Sequence, residues 1–207
     1  IRNEMERHGV PAERLQAIVL THQDIDHIGS LPEILQEAGF SISVYAHPME
    51  KPYIEGKLPL MKATMEHMTW QLGGLPEEER RRIVSSLAAN LPKGRVDHTL
   101  ADGQVLPYCG GIEVIYTPGH TPGHLSLYLH RSQTLVAGDS MFSVNGTLMG
   151  PHRPSTPDMD AAVRSLQRYL TYEIESVICY HGGLVREHIR NQLEALIRME
   201  WQTGTNN

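Results

Sequence analysis

The apolar positions of this chain fall into short blocks that switch between helical and extended periods. Residues 2 to 8 have helical character, which Gly9-Val10-Pro11 ends. Ala17-Ile18-Val19-Leu20 is a continuous apolar run of the length of a buried strand. From Gly29 to Ala38, residues Leu31, Ile34, Leu35 and Ala38 share one helix face, and Gly39 stops the helix. Ser41 to Ala46 alternates, with Ile42, Val44 and Ala46 on one side, as a second strand does.

The character changes from residue 48 to about 95, where β-branched residues are few and the runs Leu58 to Leu72 and Glu77 to Ala89 favour helix. This stretch is read as a helical insertion. Its Met49, Met61, Met65, Met68 and Trp70 either pack the insertion onto the domain or line a pocket, since methionine adapts to irregular apolar shapes. Extended blocks follow at Val96 to Leu100, Gln104 to Leu106, Gly111 to Tyr116, Leu125 to Leu129 and Thr134 to Ala137. Thr156-Pro157 predicts a helix cap and first position, with Ala162, Val163, Leu166 and Leu170 on the buried face. Ser176 to Tyr180 reads as the last strand, and Val185 to Trp201 as the last, amphipathic, helix. Strands mixed with covering helices predict an α/β layered protein.

Composition narrows the function classes. A chain of 207 residues with 40% hydrophobic content suits one domain, residues 1 to 207, with one sizeable core. The net charge of -6 argues against a nucleic-acid partner, which calls for a basic surface. The one basic run, Arg80-Arg81-Arg82, follows Glu77-Glu78-Glu79 and reads as a solvated helix face with local ion pairs. Cys109 and Cys179 follow no metal-binding or disulfide spacing, as expected of a cytoplasmic protein. No run is long and apolar enough for a membrane span, so no membrane partner is expected.

The candidate chemistry is concentrated in Thr21-His22-Gln23-Asp24-Ile25-Asp26-His27, where four of seven residues can bind a divalent metal. They sit where a buried strand gives way to a helix. In extended backbone His22 and Asp24 project to the same side and can share an ion, while Asp26 and His27 at the turn can face a second. Imidazole and carboxylate suit zinc, iron or manganese. Further candidates end strands downstream: His120 in Thr117-Pro118-Gly119-His120, Asp139 after Gly138, and His181 before Gly182-Gly183. Ligands at several strand ends meet on one rim of a sheet structure.

With these motifs the chain resembles the metallo-β-lactamase superfamily. His22, Asp24, Asp26 and His27 match its HxHxDH motif with one substitution, and Thr117 to His124 (TPGHTPGH) match the segment that supplies the next histidine. Asp139 and His181 match the bridging aspartate and the last histidine. The resemblance implies an αβ/βα four-layer sandwich and two divalent ions, zinc by family pattern with manganese or iron as alternatives. It places His22, Asp24 and His120 on one ion, Asp26, His27 and His181 on the other, and Asp139 between them. It further implies a metal-bridging hydroxide as nucleophile, oriented by Asp26 as the catalytic carboxylate.

The family's N-terminal strands and Asp-x-Gly turn are missing ahead of the helix on which this chain opens. Asp24 stands where most members have histidine. Three carboxylates and a hydroxide would then neutralise two dications, and the added oxygen ligand favours harder ions such as manganese or iron. Phe142 occupies the place of a tyrosine that assists ring opening in acyl-homoserine lactonases, and His152 and Arg153 are candidates to face substrate. His124 is read as a support for the His120 loop, and His8, His47, His67, His98, His130 and His188 as surface or packing residues.

The leading expectation is hydrolysis of an ester-like bond in a small molecule, a lactone, thioester or small carboxylic ester, by a chain that can form a homodimer. The alternative is an iron-dependent oxidoreductase of the same fold, a persulfide dioxygenase or diiron oxygen reductase. A binding protein with a vestigial site is disfavoured by the complete ligand set.

Overall fold

The computed structural model describes residues 1–62 and 74–204, and the chain divides into two compact units, Ile1–Thr99 and Leu100–Asn207. Met65, His67, Met68, Trp70 and most of the expected helix from Leu58 to Leu72 lie outside the described residues.

The first unit opens with helix α1 (Arg2–Arg7) and holds a three-stranded parallel sheet, β1 (Ala17–Val19), β2 (Ser43–Ala46) and β3 (His98–Thr99), in that spatial order. Parallel neighbours need crossovers. The first contains α2 (Ile25–Ile28) and α3 (Leu31–Glu37), and the second contains α4 (Lys51–Ile54) and α5 (Glu77–Ala89). No strand occurs between residues 48 and 95 among the described residues, in keeping with a helical insertion. Alternation along β2 buries Val44 and Ala46, which pack with Leu20, Ile28, Leu31, Ile54, Leu60 and Val96. Asp97 ties the sheet edge, its carboxylate accepting from the Val44 N–H and the Arg95 guanidinium at 2.9 Å each. Burial works to raise the Asp97 pKa, yet these two donors hold it below the usual carboxylate value. The acid-base pairing expected on α5 is present, with Arg81 2.7 Å from Glu77.

The second unit is built on a six-stranded sheet of order β11-β10-β7-β6-β5-β4. The strands are β4 (Val105–Leu106), β5 (Ile112–Tyr116), β6 (Leu125–Leu129), β7 (Thr134–Gly138), β10 (Ser176–Cys179) and β11 (Gly183–Val185). A separate hairpin pairs β8 (Phe142–Val144) with β9 (Thr147–Met149). All neighbours in the large sheet are antiparallel except β7 and β10, whose crossover carries α6 (Met159–Gln167). Leu166 and Tyr169 after it, and Ile189, Leu193, Leu196 and Ile197 from α7 (Ile189–Gly204), pack with Ile115, Leu135, Ala137 and Val177 into one core.

Three local expectations are corrected. The cap of α6 is Asp158, whose carboxylate accepts from the Ala161 N–H at 2.8 Å, whereas the Thr156 hydroxyl donates to the His152 carbonyl and closes the preceding turn. Val185 belongs to β11, and the last helix begins only at Ile189, after His188 takes φ 52°. Residues 58 to 62 are not helical. No described helix is long and apolar enough to cross a membrane.

Candidate metal centre

In the first unit the candidate ligands follow the C-terminal end of β1. The Leu20 N–H donates to Tyr45, so the chain stays in register until Thr21 and then turns into α2. The Thr21 hydroxyl lies 3.0 Å from His22 Nδ1 and 3.5 Å from His27 Nδ1, and the two rings are 4.0 Å apart. With Nδ1 of both rings turned to one hydroxyl, Nε2 of each is directed to a carboxylate: His22 Nε2 to Asp24 Oδ2 at 3.4 Å, and His27 Nε2 to Asp26 Oδ2 at 3.6 Å. Asp24 occupies the cap position of α2 but its side chain makes no cap bond, which an aspartate there ordinarily makes. Its Oδ2 instead lies 2.7 Å from Lys62 Nζ. The Asp26 side chain is 48% exposed and so open to an incoming molecule.

Gln23 faces away from its two neighbours, as strand alternation requires. Its backbone N–H and side-chain amide both donate to Oε2 of the buried Glu50 at 3.0 Å, and its carbonyl oxygen accepts from the Met61 N–H. Gln23, Glu50 and Lys62 were not foreseen from sequence. The side that Gln23 faces could have been read from alternation, but its partners come from remote positions. Met49 and Met61 are exposed.

In the second unit His120 lies in the loop between β5 and β6, closed by bonds from Thr117 N–H to the His124 carbonyl and from Gly119 N–H to the Thr121 carbonyl. Gly119 has φ +137°, and a Cβ there would sit 2.3 Å from the Ala162 backbone nitrogen, so only glycine lets the loop lie against α6. Thr156 Oγ1, which donates to the His152 carbonyl, lies 3.5 Å from His120 Nδ1 and is placed to accept from it. That leaves His120 Nε2 as the unprotonated nitrogen, 3.4 Å from Asp139 Oδ2. The same oxygen is 3.5 Å from His181 Nε2. His181 is 57% exposed at the end of β10, its carbonyl accepting from the Ser143 N–H.

His124 is turned to the backbone: its Nε2 accepts from the Asp139 N–H at 3.0 Å, so Nδ1 carries the proton toward the Thr117 hydroxyl at 2.9 Å. Of the substrate-facing candidates, Phe142 is half-buried and meets the His152 ring edge-on at 6.2 Å. His152 and Arg153 are exposed at the turn Arg153–Ser155, where His152 Nδ1 lies 2.9 Å from Ser155 Oγ. His8, His98, His130 and His188 are exposed and His47 is half-buried.

This donor set fits divalent cations. The four imidazole-to-carboxylate separations, 3.4 to 3.6 Å, are long for N–H···O hydrogen bonds. Two donors each about 2.1 Å from one tetrahedral ion stand about 3.4 Å apart. Hydroxyls at Nδ1 are the outer partners that orient metal-binding histidines. Both cysteines are free, and burial pushes the Cys179 thiol up to about 12.

Comparisons with known proteins identify the family. The sequence profile of the Metallo-beta-lactamase superfamily matches residues 1–181. The probable metallo-hydrolase YflN of Bacillus subtilis is 31% identical over 95% of this chain and 75% of its own length. The hydroxyacylglutathione hydrolase GloC of Haemophilus influenzae is 24% identical over 62% of this chain and 50% of its own. The crystal structure of TTHA1623 in a di-iron-bound form superposes with a TM-score of 0.58 at 25% identity, covering 89% of this chain and 77% of that one. The mixed α/β architecture, the strand-end histidines and aspartates and the match over most of the chain place it plainly: it belongs to the metallo-β-lactamase superfamily and is a metal-dependent hydrolase.

Proposed function

We propose that this chain hydrolyses an ester-like bond in a small molecule, a lactone, thioester or small carboxylic ester, at a site holding two divalent ions. By the superfamily resemblance, His22, Asp24 and His120 would hold one ion, Asp26, His27 and His181 the other, with Asp139 a ligand to both. The observation that carries this reading is Asp139 Oδ2, a single oxygen 3.4 Å from His120 Nε2 and 3.5 Å from His181 Nε2. An oxygen common to two outward-facing imidazole nitrogens is what a shared ligand requires.

When bound, the ions supply hydroxide near neutral pH and polarise the carbonyl under attack. The chain's own groups do the rest. Asp26, half exposed, would orient the attacking oxygen. Thr21 and Thr156 hold the Nδ1 sides of the histidines and so aim Nε2 inward. The edge-on pair of Phe142 and His152, with Arg153, offers an apolar and cationic wall to the acyl group or its leaving group. Hydroxyacylglutathione, the compound in the name of one relative, falls in the same acyl class. Zinc is the first choice of metal, with iron or manganese as alternatives; the di-iron form of TTHA1623 and the oxygen donor of Asp24 both favour a harder ion.

The test is turnover of a lactone, a thioester and a phosphodiester by protein loaded in turn with zinc, manganese and iron. The acyl substrates turn over, and Asp139→Ala lowers kcat/KM at least about a hundredfold, the loss expected when a charge-stabilising group is removed. Equal rates for Asp139→Ala and parent, or turnover of the phosphodiester alone, would sink the proposal. Oxygen consumption by the iron-loaded protein without hydrolysis would favour the oxidoreductase reading instead.

A further inference from the structure

The side chain that replaces the family's usual histidine comes with a cation. Asp24 Oδ2 is 2.7 Å from Lys62 Nζ, and the two side chains are only 15% and 10% exposed. The same oxygen faces His22 Nε2 at 3.4 Å, so Lys62 reaches the carboxylate on which a metal would depend.

Lys62 is delivered by a built connection. The Met61 N–H donates to Gln23, the residue between His22 and Asp24, and Gln23 in turn gives two N–H bonds to the buried Glu50. Leu60 is packed into the core of the first unit. The segment that carries Lys62 is therefore fastened to the ligand loop on its backbone and through a buried carboxylate, and the ammonium arrives with its position fixed.

Charge gives the pair its meaning. A carboxylate in place of histidine adds one negative charge to the ligand set, and an ammonium 2.7 Å away adds one positive charge back. In surroundings largely shielded from water such a pair is strongly coupled, and removing either member leaves the other charge uncompensated. We infer that Asp24 and Lys62 act as one neutral ligand unit in place of the histidine, and that Lys62 is the positioning residue that sets how tightly, and which, divalent ion the site holds. The inference rests on Asp24 being a metal ligand, as proposed above.

Two consequences are opposite in sign. Without Lys62, the ligand set gains a net negative charge, so divalent ions bind more tightly, and a hard ion gains more than zinc. With histidine at position 24 and Lys62 retained, a shielded ammonium confronts a dication with no carboxylate between them, so binding weakens.

A double-mutant cycle on metal affinity tests this, with Zn2+ and Mn2+ titrated against a chromophoric chelator into the parent, Lys62→Met, Asp24→His and the double variant. Lys62→Met is expected to tighten Mn2+ about tenfold and Zn2+ less. Asp24→His, which leaves a shielded ammonium facing the dication, weakens both about a hundredfold, and the double variant returns within about threefold of the parent where simple addition gives Mn2+ binding about tenfold weaker, a coupling within the range for groups in contact. Asp24→Asn replaces Asp24→His in the cycle should the latter fail to fold, with the same non-additivity expected. Affinities that add within about twofold, or an unchanged Mn2+ to Zn2+ preference in Lys62→Met, overturn the inference alone. A parent protein that takes up neither ion overturns it together with the metal site.

Discussion

The Asp139 backbone N–H donates to His124 Nε2 at 3.0 Å. That bond makes His124 an anchor of the strand end rather than a ligand, since the nitrogen that would reach a metal is already accepting a proton. From Nδ1 the contacts run on through the Thr117 hydroxyl to Ser126 Oγ, which donates to the Ala137 carbonyl two residues before Asp139. His124→Ala therefore breaks a buried chain at both ends. The expected result is a loss of about 1 to 3 kcal/mol in stability, from the donors left unsatisfied, and about 10- to 100-fold weaker metal binding, as for outer-shell partners of ligands. Denaturant unfolding and metal titration of the variant measure both; unchanged metal affinity would show that Asp139 needs no such anchor.

Tyr169 sits in the same network, its hydroxyl 2.6 Å from Ser140 Oγ and 2.8 Å from Ser126 Oγ. Burial raises its pKa, with the hydroxyl contacts working the other way. A raised folded pKa contributes stability that is fully present below the ordinary tyrosine value and is lost as pH rises past it through the folded value. The second unit should thus weaken above about pH 10. Tyr128 and Tyr172 are also raised, chiefly by burial, so the loss is shared. The difference between parent and Tyr169→Phe isolates the Tyr169 part: the variant is less stable near pH 7 but loses less between neutral and alkaline pH. Urea midpoints that fall in parallel for the two proteins would refute it.

The cysteines separate by environment. Cys109 is exposed and Cys179 is buried with its thiol raised to about 12. A thiol reagent at pH 8 should modify Cys109 quickly and Cys179 only on unfolding, because the thiolate is the reactive form. Mass spectrometry of the native protein reads the ratio, and hydrolysis should survive the modification, since no step uses either thiol.

Gly182 takes φ +101°, and a Cβ there would lie 1.9 Å from the Ser143 carbonyl oxygen. Gly182→Ala must push apart the backbone that bonds Ser143 N–H to the His181 carbonyl. Strain of this kind costs about 1 to 3 kcal/mol and displaces His181. The metal content of the variant should drop from two ions toward one, as elemental analysis would show.

Much of this architecture was legible because it is local. The alternation of Ile42, Val44 and Ala46 gave β2, and the same period puts His22 beside Asp24 with Gln23 reversed. What stayed hidden was either remote or decided by competition. Lys62 lies 38 positions from Asp24 and Glu50 lies 27 from Gln23, distances that no periodicity spans. Thr156 has the chemistry of a helix cap, but its hydroxyl is taken by the His152 carbonyl and Asp158 does the capping. Val185 has the pattern of the last helix, yet pairs with Val177 in the sheet. The sheet edge outweighed the amphipathic pattern there.

The central claim is the proposed two-ion centre with Asp139 as its shared ligand. Its most direct test is elemental analysis of the full chain after equilibration with excess zinc, manganese or iron and removal of loosely bound metal, beside Asp139→Ala and His181→Ala. Two ions per parent chain, about one in His181→Ala and fewer than one in Asp139→Ala are expected. A parent that retains no stoichiometric metal, or variants that retain as much as the parent, would contradict the account.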